Sequence, residues 1–476
     1  MDSFDLVIRN GTVVTASDTF VCDIGVIDGR IAALGEKLGA GREEIDATDR
    51  FVLPGGVDAH CHLDQPMGPG ICMADDFESG TRSAACGGTT TVIPFAAQEK
   101  GSSLKAAVED YHRRADGKAC IDYAFHMIVS DASGDILQHE LPQLIDAGYT
   151  SFKIYMTYDD LKLDDRQILE TLTVARREGA MTMIHAENSD CIAWLTEALE
   201  AMNHTAPLYH AEARPSIVER EATHRAISLA ELVDTPVLIV HVSGNEAIEQ
   251  IRWAQGRGLR VYAETCPQYL FLTAEDLDKD GFEGAKCVCS PPPRDKANQE
   301  GVWNGLESGV FQVFSSDHAP FCYDDKEGKK AAGESASFQY IPNGIPGIET
   351  RLPLLYSEGV LRGRIDITRF VALTSTNPAR IYGLYPRKGT IAIGSDADIV
   401  IWNPMAEWTV RNTGLHHDVD YTPYEGMVLH GRPQTTISRG KIVWDNGQFL
   451  GAAGRGMFLR CERPQPARPR GENRGF

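Results

Sequence analysis

Positive charge is scarce in this chain of 476 residues: 46 Lys and Arg face 67 Asp and Glu, for a net charge of −21. That balance excludes nucleic acid and anionic membrane surfaces as expected partners. No apolar run approaches the roughly 18 residues of a membrane span. The start, MDSFDLVIRNGTVVT, is acidic and then strand-like, unlike a signal peptide. The eleven cysteines are scattered and contain no CxxC pair. Reduced, mostly buried thiols in a cytoplasmic protein are therefore expected, rather than a disulfide frame or a thiolate metal site. No GxGxxG turn and no internal repeat is present.

What is there is β-rich at both ends. Residues 6–34 alternate apolar and polar and are punctuated by Asn10-Gly11 and Asp28-Gly29, which read as hairpin turns. The texture returns in GTIAIGSDADIVIWNP (389–404) and TTISRGKIVWDNGQF (435–449). The two ends are expected to pair into one small β-sandwich domain, residues 1–55 plus 385–450. Between them strand and helix alternate. Candidate strands are 52–60, 89–95, 122–129, 149–156, 181–187, 237–243, 260–266 and 312–318, with helical patterns such as 164–179 and 220–233. Eight such units predict an α/β fold, a (β/α)8 TIM barrel over residues 56–384. The Arg/Pro-rich tail, 451–476, is expected to be an extended arm or disordered.

Barrel enzymes place their chemistry at the C-terminal strand ends. There this chain carries His60 and His62 on strand one, Lys153 late in strand four, His185 on strand five, His241 on strand six and Asp317 on strand eight. Histidines two apart on a strand share a face, and imidazole suits zinc. Any one of these residues alone could be structural; six at one barrel end predict a metal site. An ammonium is no ligand, so Lys153 either reaches solvent or a carboxylate, or reacts with carbon dioxide to give a carbamate. Four histidines and an aspartate exceed the roughly three ligands of one open catalytic zinc. They suit two metals if a bridging anion exists.

The order HxH, Lys, His, His, Asp resembles the amidohydrolase superfamily. FKIYMTY (152–158), CSPPPR (289–294) and IPNGIPGIETRLPLLY (341–356) resemble, more narrowly, the dihydropyrimidinase and D-hydantoinase family. That resemblance implies a barrel plus β-sandwich, two Zn2+ per subunit and a homotetramer. It implies that His60, His62 and Asp317 hold one metal and His185 and His241 the other, with Lys153 as N6-carboxylysine and a hydroxide between them. It makes Tyr158 the group that polarises the substrate carbonyl, Asp317 the proton carrier, and Ser290 and Asn343 backbone contacts to a cyclic amide. The expected reaction opens dihydropyrimidines or 5-substituted hydantoins to N-carbamoyl amino acids. An allantoinase-type ureide hydrolase and a non-catalytic scaffold of the same fold are the competing readings.

The stretch after His62, LDQPMGPGICMADDF, departs from the family's usual segment. Met67, Ile71 and Met73 there are candidates for an apolar pocket wall. Cys61 is expected to pack away from the ligand face. Asp64, where dihydroorotases carry an arginine, is expected to repel a substrate carboxylate.

Overall fold

The computed structural model describes residues 4–468. Eight parallel strands form the barrel: β1 (Gly56–Cys61), β2 (Thr89–Ala97), β3 (His126–Ile128), β4 (Ser151–Tyr155), β5 (Met181–His185), β6 (Val237–Ile239), β7 (Val261–Thr265) and β8 (Val313–Phe314). They neighbour one another in sequence order, with the short strand Asp122–Tyr123 alongside β2. Backbone bonds from Asp317 N to His60 O (2.9 Å) and from His62 N to His318 O (2.7 Å) bring the last strand back to the first. The α/β barrel expected from the strand-helix alternation is therefore present.

The helices follow local chemistry. Asp165–Glu178 starts on an Asp164–Gln167 capping box and stops at Gly179, which takes the left-handed conformation at φ 71°. Its apolar stripe, Ile168, Leu172 and Ala175, is buried on the barrel.

Both ends of the chain build the second sheet, which contains Phe4–Val14, Thr19–Ile27, Phe51–Pro54, Ile399–Thr409 and Val428–Ser438. Leu6, Ile8, Val26, Val52, Ile399 and Ile437 share its core. Two local expectations change here. Asn10-Gly11 is not a hairpin turn but a bulge inside Phe4–Val14, because a side chain at Gly11 would meet Val52 at 2.3 Å. Asp28-Gly29 does turn a hairpin, with both residues at positive φ. The single strand expected over 52–60 is two strands in two sheets. They separate at Gly55, where a Cβ would lie 2.1 Å from Thr90 Oγ1.

Residues 455–464 lie extended across the N-terminal end of the barrel, between a turn and the 3-10 helix Gln465–Ala467. Tyr123 N bonds Met457 O (3.0 Å), Leu459 N bonds Tyr123 O (2.7 Å) and Cys461 N bonds Gly148 O (2.9 Å). Phe458 packs on His112, Phe125 and Tyr149. Residues 469–476 of the Arg/Pro-rich tail lie outside the described residues. Beside this arm, Lys388 is buried against Asp122 (2.7 Å), Asp398 (2.6 Å) and Asp396 (3.0 Å), and Arg439 adds a second cation on Asp122. Removing one partner of a buried ion cluster leaves charge without compensation. Lys388→Ala is thus expected to lower unfolding stability by about 3–5 kcal/mol; denaturant titration of the variant against the parent checks this, and an unchanged midpoint would contradict it.

Candidate functional site

The six side chains singled out from the sequence meet at the C-terminal mouth of the barrel. His60 Nε2 lies 2.9 Å from Lys153 Nζ and 3.1 Å from Asp317 Oδ1, and His62 Nε2 lies 3.4 Å from the same oxygen. The His241 ring is 4.4 Å from the His185 ring and 5.4 Å from the His60 ring, between centroids. His60, His62 and Asp317 offer ligand atoms close enough together to hold a metal ion. His60, His62 and His185 sit on or directly after strand ends. His241 and Asp317 do not: they lie two and three residues beyond β6 and β8, in left-handed backbone at φ 38° and 48°. Tyr158, at φ 67°, shares that conformation. Non-glycine residues held there cluster at functional sites.

Behind three of the rings stands an acceptor that the sequence reading missed. His60 Nδ1 is 2.6 Å from Glu264 Oε1, His62 Nδ1 is 2.7 Å from Gln65 Oε1, and His185 Nε2 is 2.7 Å from Glu187 Oε2. Glu187 is itself held by Arg214 at 3.1 Å. A ring that donates one N–H keeps its lone pair on the other nitrogen, the form a metal needs. Among the described residues, buried His241 has no partner for Nδ1. Glu187 and Glu264 had a legible signal: Glu187 lies two residues after His185, just beyond β5, and Glu264 stands at the C-terminal end of β7. Gln65 had none.

The electrostatics suit the same purpose. Burial, then the charge of Lys153, pushes His60 well below its ordinary range, and burial with His185 does so for His241. Burial lowers Lys153 to about 8, against the pull of Asp317 and Glu264. Burial opposes the charge of Asp317, but His60 and His62 prevail and hold its carboxyl down at about 2. Burial raises the Tyr158 hydroxyl, so it remains a proton donor.

Above these groups lies a cavity of about 200 Å3 lined by Tyr158, Ser290 and Asn343 together with Gln65, Met67, Met73, Leu161 and Phe321. Asn343 Nδ2 donates to Tyr158 Oη at 3.3 Å. Met67 and Met73 thus take the expected wall positions, while Ile71 does not line the cavity. Cys61 is fully buried in the core around the barrel. Asp64 turns away and pairs with Arg114 at 2.9 Å, so its charge does not face the cavity and the expected repulsion of a carboxylate falls away. Lys329, missed in the sequence, is buried behind the cavity and donates to Val288 O (2.9 Å) and Pro342 O (2.6 Å). It ties together the loops that carry Ser290 and Asn343. Two wider clefts of about 620 and 630 Å3 lie elsewhere and contain no converging histidines.

Comparison with known proteins agrees with this geometry. Residues 51–443 match the amidohydrolase family model. A D-hydantoinase of Ralstonia pickettii is 45% identical over 457 residues, covering 96% of this chain and 98% of its own. A D-hydantoinase of Geobacillus stearothermophilus is 47% identical over 456 residues, covering 95% and 96%. The crystal structure of a dihydropyrimidinase from Brevibacillus agri has a TM-score of 0.94 at 45% identity, covering 96% of this chain and 99% of that one. A barrel mouth of this composition and identity of this extent over nearly the whole chain place the protein in the dihydropyrimidinase and D-hydantoinase family of amidohydrolases.

Proposed function

We propose that the chain is a binuclear zinc hydrolase that opens dihydropyrimidines or 5-substituted hydantoins to N-carbamoyl amino acids. The observation that carries this is the placement of Lys153. Its amine is buried 2.9 Å from His60 Nε2, among four imidazoles and Asp317, where a permanent cation has no purpose. The relatives that match over the full chain bear the names D-hydantoinase and dihydropyrimidinase.

The donors fit such a centre. His60, His62 and Asp317 would hold one zinc, His185 and His241 the other, and Lys153 as a carbamate would bridge them. The Lys153 ammonium first gives up a proton; the neutral amine then attacks the carbon of carbon dioxide and releases a second proton, so that over the two steps a cation becomes a carbamate anion. Burial raises the Glu264 carboxyl to about 8; positive charge at the centre would keep it ionised behind His60. Two zinc ions held there would supply Lewis-acid polarisation and lower the pKa of water toward neutrality.

The chain's own groups do the rest. Ser290 and Asn343, on loops joined through Lys329, would hold the cyclic amide by their backbone groups. The Tyr158 hydroxyl donates to the ring carbonyl and stabilises the oxyanion that forms there. Asp317, ionised across the neutral range, accepts a proton from the attacking water and passes it to the leaving ring nitrogen. Gln268 Nε2 lies 3.5 Å from Asp317 Oδ2 and steadies that carboxylate. The homotetramer and the cytoplasmic setting implied by the resemblance belong to this reading; light scattering tests the first.

Zinc-loaded protein assayed on dihydrouracil, 5-substituted hydantoins, allantoin and dihydroorotate tests the reaction. Opening of the first two classes is expected; turnover of allantoin alone would replace this reading with a ureide hydrolase. Asp317→Asn is expected to retain metal and lose at least about 100-fold in kcat, and near-normal turnover would remove its proton-carrying role. Lys153→Ala should lose or loosen both metals by elemental analysis, whereas two tightly held zincs would exclude the carbamate bridge.

A further inference from the structure

Gln65 stands where the chain leaves β1 for the segment that covers the cavity, and it touches both the metal cluster and the cavity wall. Its amide oxygen is 2.7 Å from His62 Nδ1, while His62 Nε2 faces Asp317 at 3.4 Å. When Nε2 serves as a ligand, the ring proton resides on Nδ1, and the amide must present its oxygen there. That orientation fixes where the amide nitrogen goes. Among the described residues no protein acceptor takes its two N–H bonds.

Other side chains of the lining are of another kind. Met67, Met73, Ala319 and Phe321 offer the cavity only apolar surface. The adjacent carboxylate in the chain, Asp64, is turned out onto Arg114, and Asp317 stands on the other side of the His62 ring. Ser290, Asn343 and Tyr158 are the polar groups assigned to the ring itself. A donor that these groups leave over suits an acceptor carried outside the ring.

We propose that Gln65 is both the positioning residue for His62 and the specificity determinant for the substrate's exocyclic arm. It selects rings whose 5-substituent carries a carbonyl or carboxylate oxygen over rings with a hydrocarbon arm of equal shape. The inference rests on the ring-opening reading above. The physical basis is asymmetric: Gln65 is partly buried, and a hydrocarbon arm that covers its amide N–H without an acceptor costs more than the hydrogen bond gains, so the hydrocarbon analogue is penalised.

The test uses zinc-loaded full-length enzyme and two matched rings, 5-(2-carbamoylethyl)hydantoin and 5-(3-methylbutyl)hydantoin. The wild type is expected to favour the amide-bearing ring in kcat/KM by about tenfold, one hydrogen bond's worth. Gln65→Met should abolish or invert that ratio, which cancels any loss common to both rings. Equal kcat/KM for the two rings in the wild type, or a ratio preserved in Gln65→Met, would overturn the specificity role. Zinc retention against a chelator gives an independent reading: Gln65→Met should release metal about 10–100-fold more readily, while Gln65→Asn, which keeps an amide oxygen, should recover part of it. Unchanged retention in Gln65→Met would overturn the positioning role. Failure of the wild type to open either ring would instead strike the ring-opening reading itself.

Discussion

Four imidazoles crowd one barrel mouth, and only neutral rings can stand so close in a buried place. For three of them the hydrogen bond to a fixed acceptor behind the ring meets that condition, and for His241 burial among the other rings does. Glu264 behind His60, Gln65 behind His62 and Glu187 behind His185 each assign the single ring proton to the outer nitrogen. The inner nitrogens are then bases, not acids. Lys153 is the exception that gives the arrangement its sense. As an ammonium it would add positive charge to a centre meant for cations; as a neutral amine, which its lowered pKa favours, it is a nucleophile for carbon dioxide. Ligand basicity and the chemistry of the lysine thus follow from the same burial.

The acceptors also differ in kind. Glu187 brings negative charge to one side of the cluster, partly offset by Arg214, and Glu264 would do the same once cations occupy the centre. Gln65 brings none. Of the three rings with an acceptor behind them, His62 is therefore the one least strengthened by it and the one whose support also borders the cavity. Metal affinity and arm recognition share a single side chain there, so a substitution at position 65 changes both together.

Much of this was legible in the sequence because strand periodicity is short and strict. HxH at the end of an apolar run must place both rings on one face, and His185 follows from the same rule on β5. His241 and Asp317 were found by residue type but placed on strands, whereas the structure carries them on left-handed turns beyond β6 and β8. Period-two alternation does not reveal where a strand stops. The break at Gly55 was hidden because the residues on both sides are apolar and extended; only the approach of Thr90 shows why a glycine stands there. Gln65 and Lys329 left no trace in the pattern. A glutamine in a loop and one lysine in a run of two are ordinary on any surface, and their roles depend on which distant atoms the fold brings to them.

The left-handed conformations of Tyr158, His241 and Asp317 cost on the order of 1–3 kcal/mol each in a non-glycine residue. A barrel mouth carrying three such positions needs stability from elsewhere. In this chain it comes from the opposite end. There the Lys388 cluster is closed by three carboxylates, and the extended arm at 455–464 adds backbone bonds to Tyr123 and Gly148 and buries Phe458 in an aromatic group. The C-terminal β segment continues into that arm, so the terminal sheet and the barrel floor are fastened by one stretch of chain. The strained turn at Asp317 also takes part in closing the barrel, through its backbone bond to His60 O, so the fastening at the far end and the geometry of the mouth act on one closed sheet.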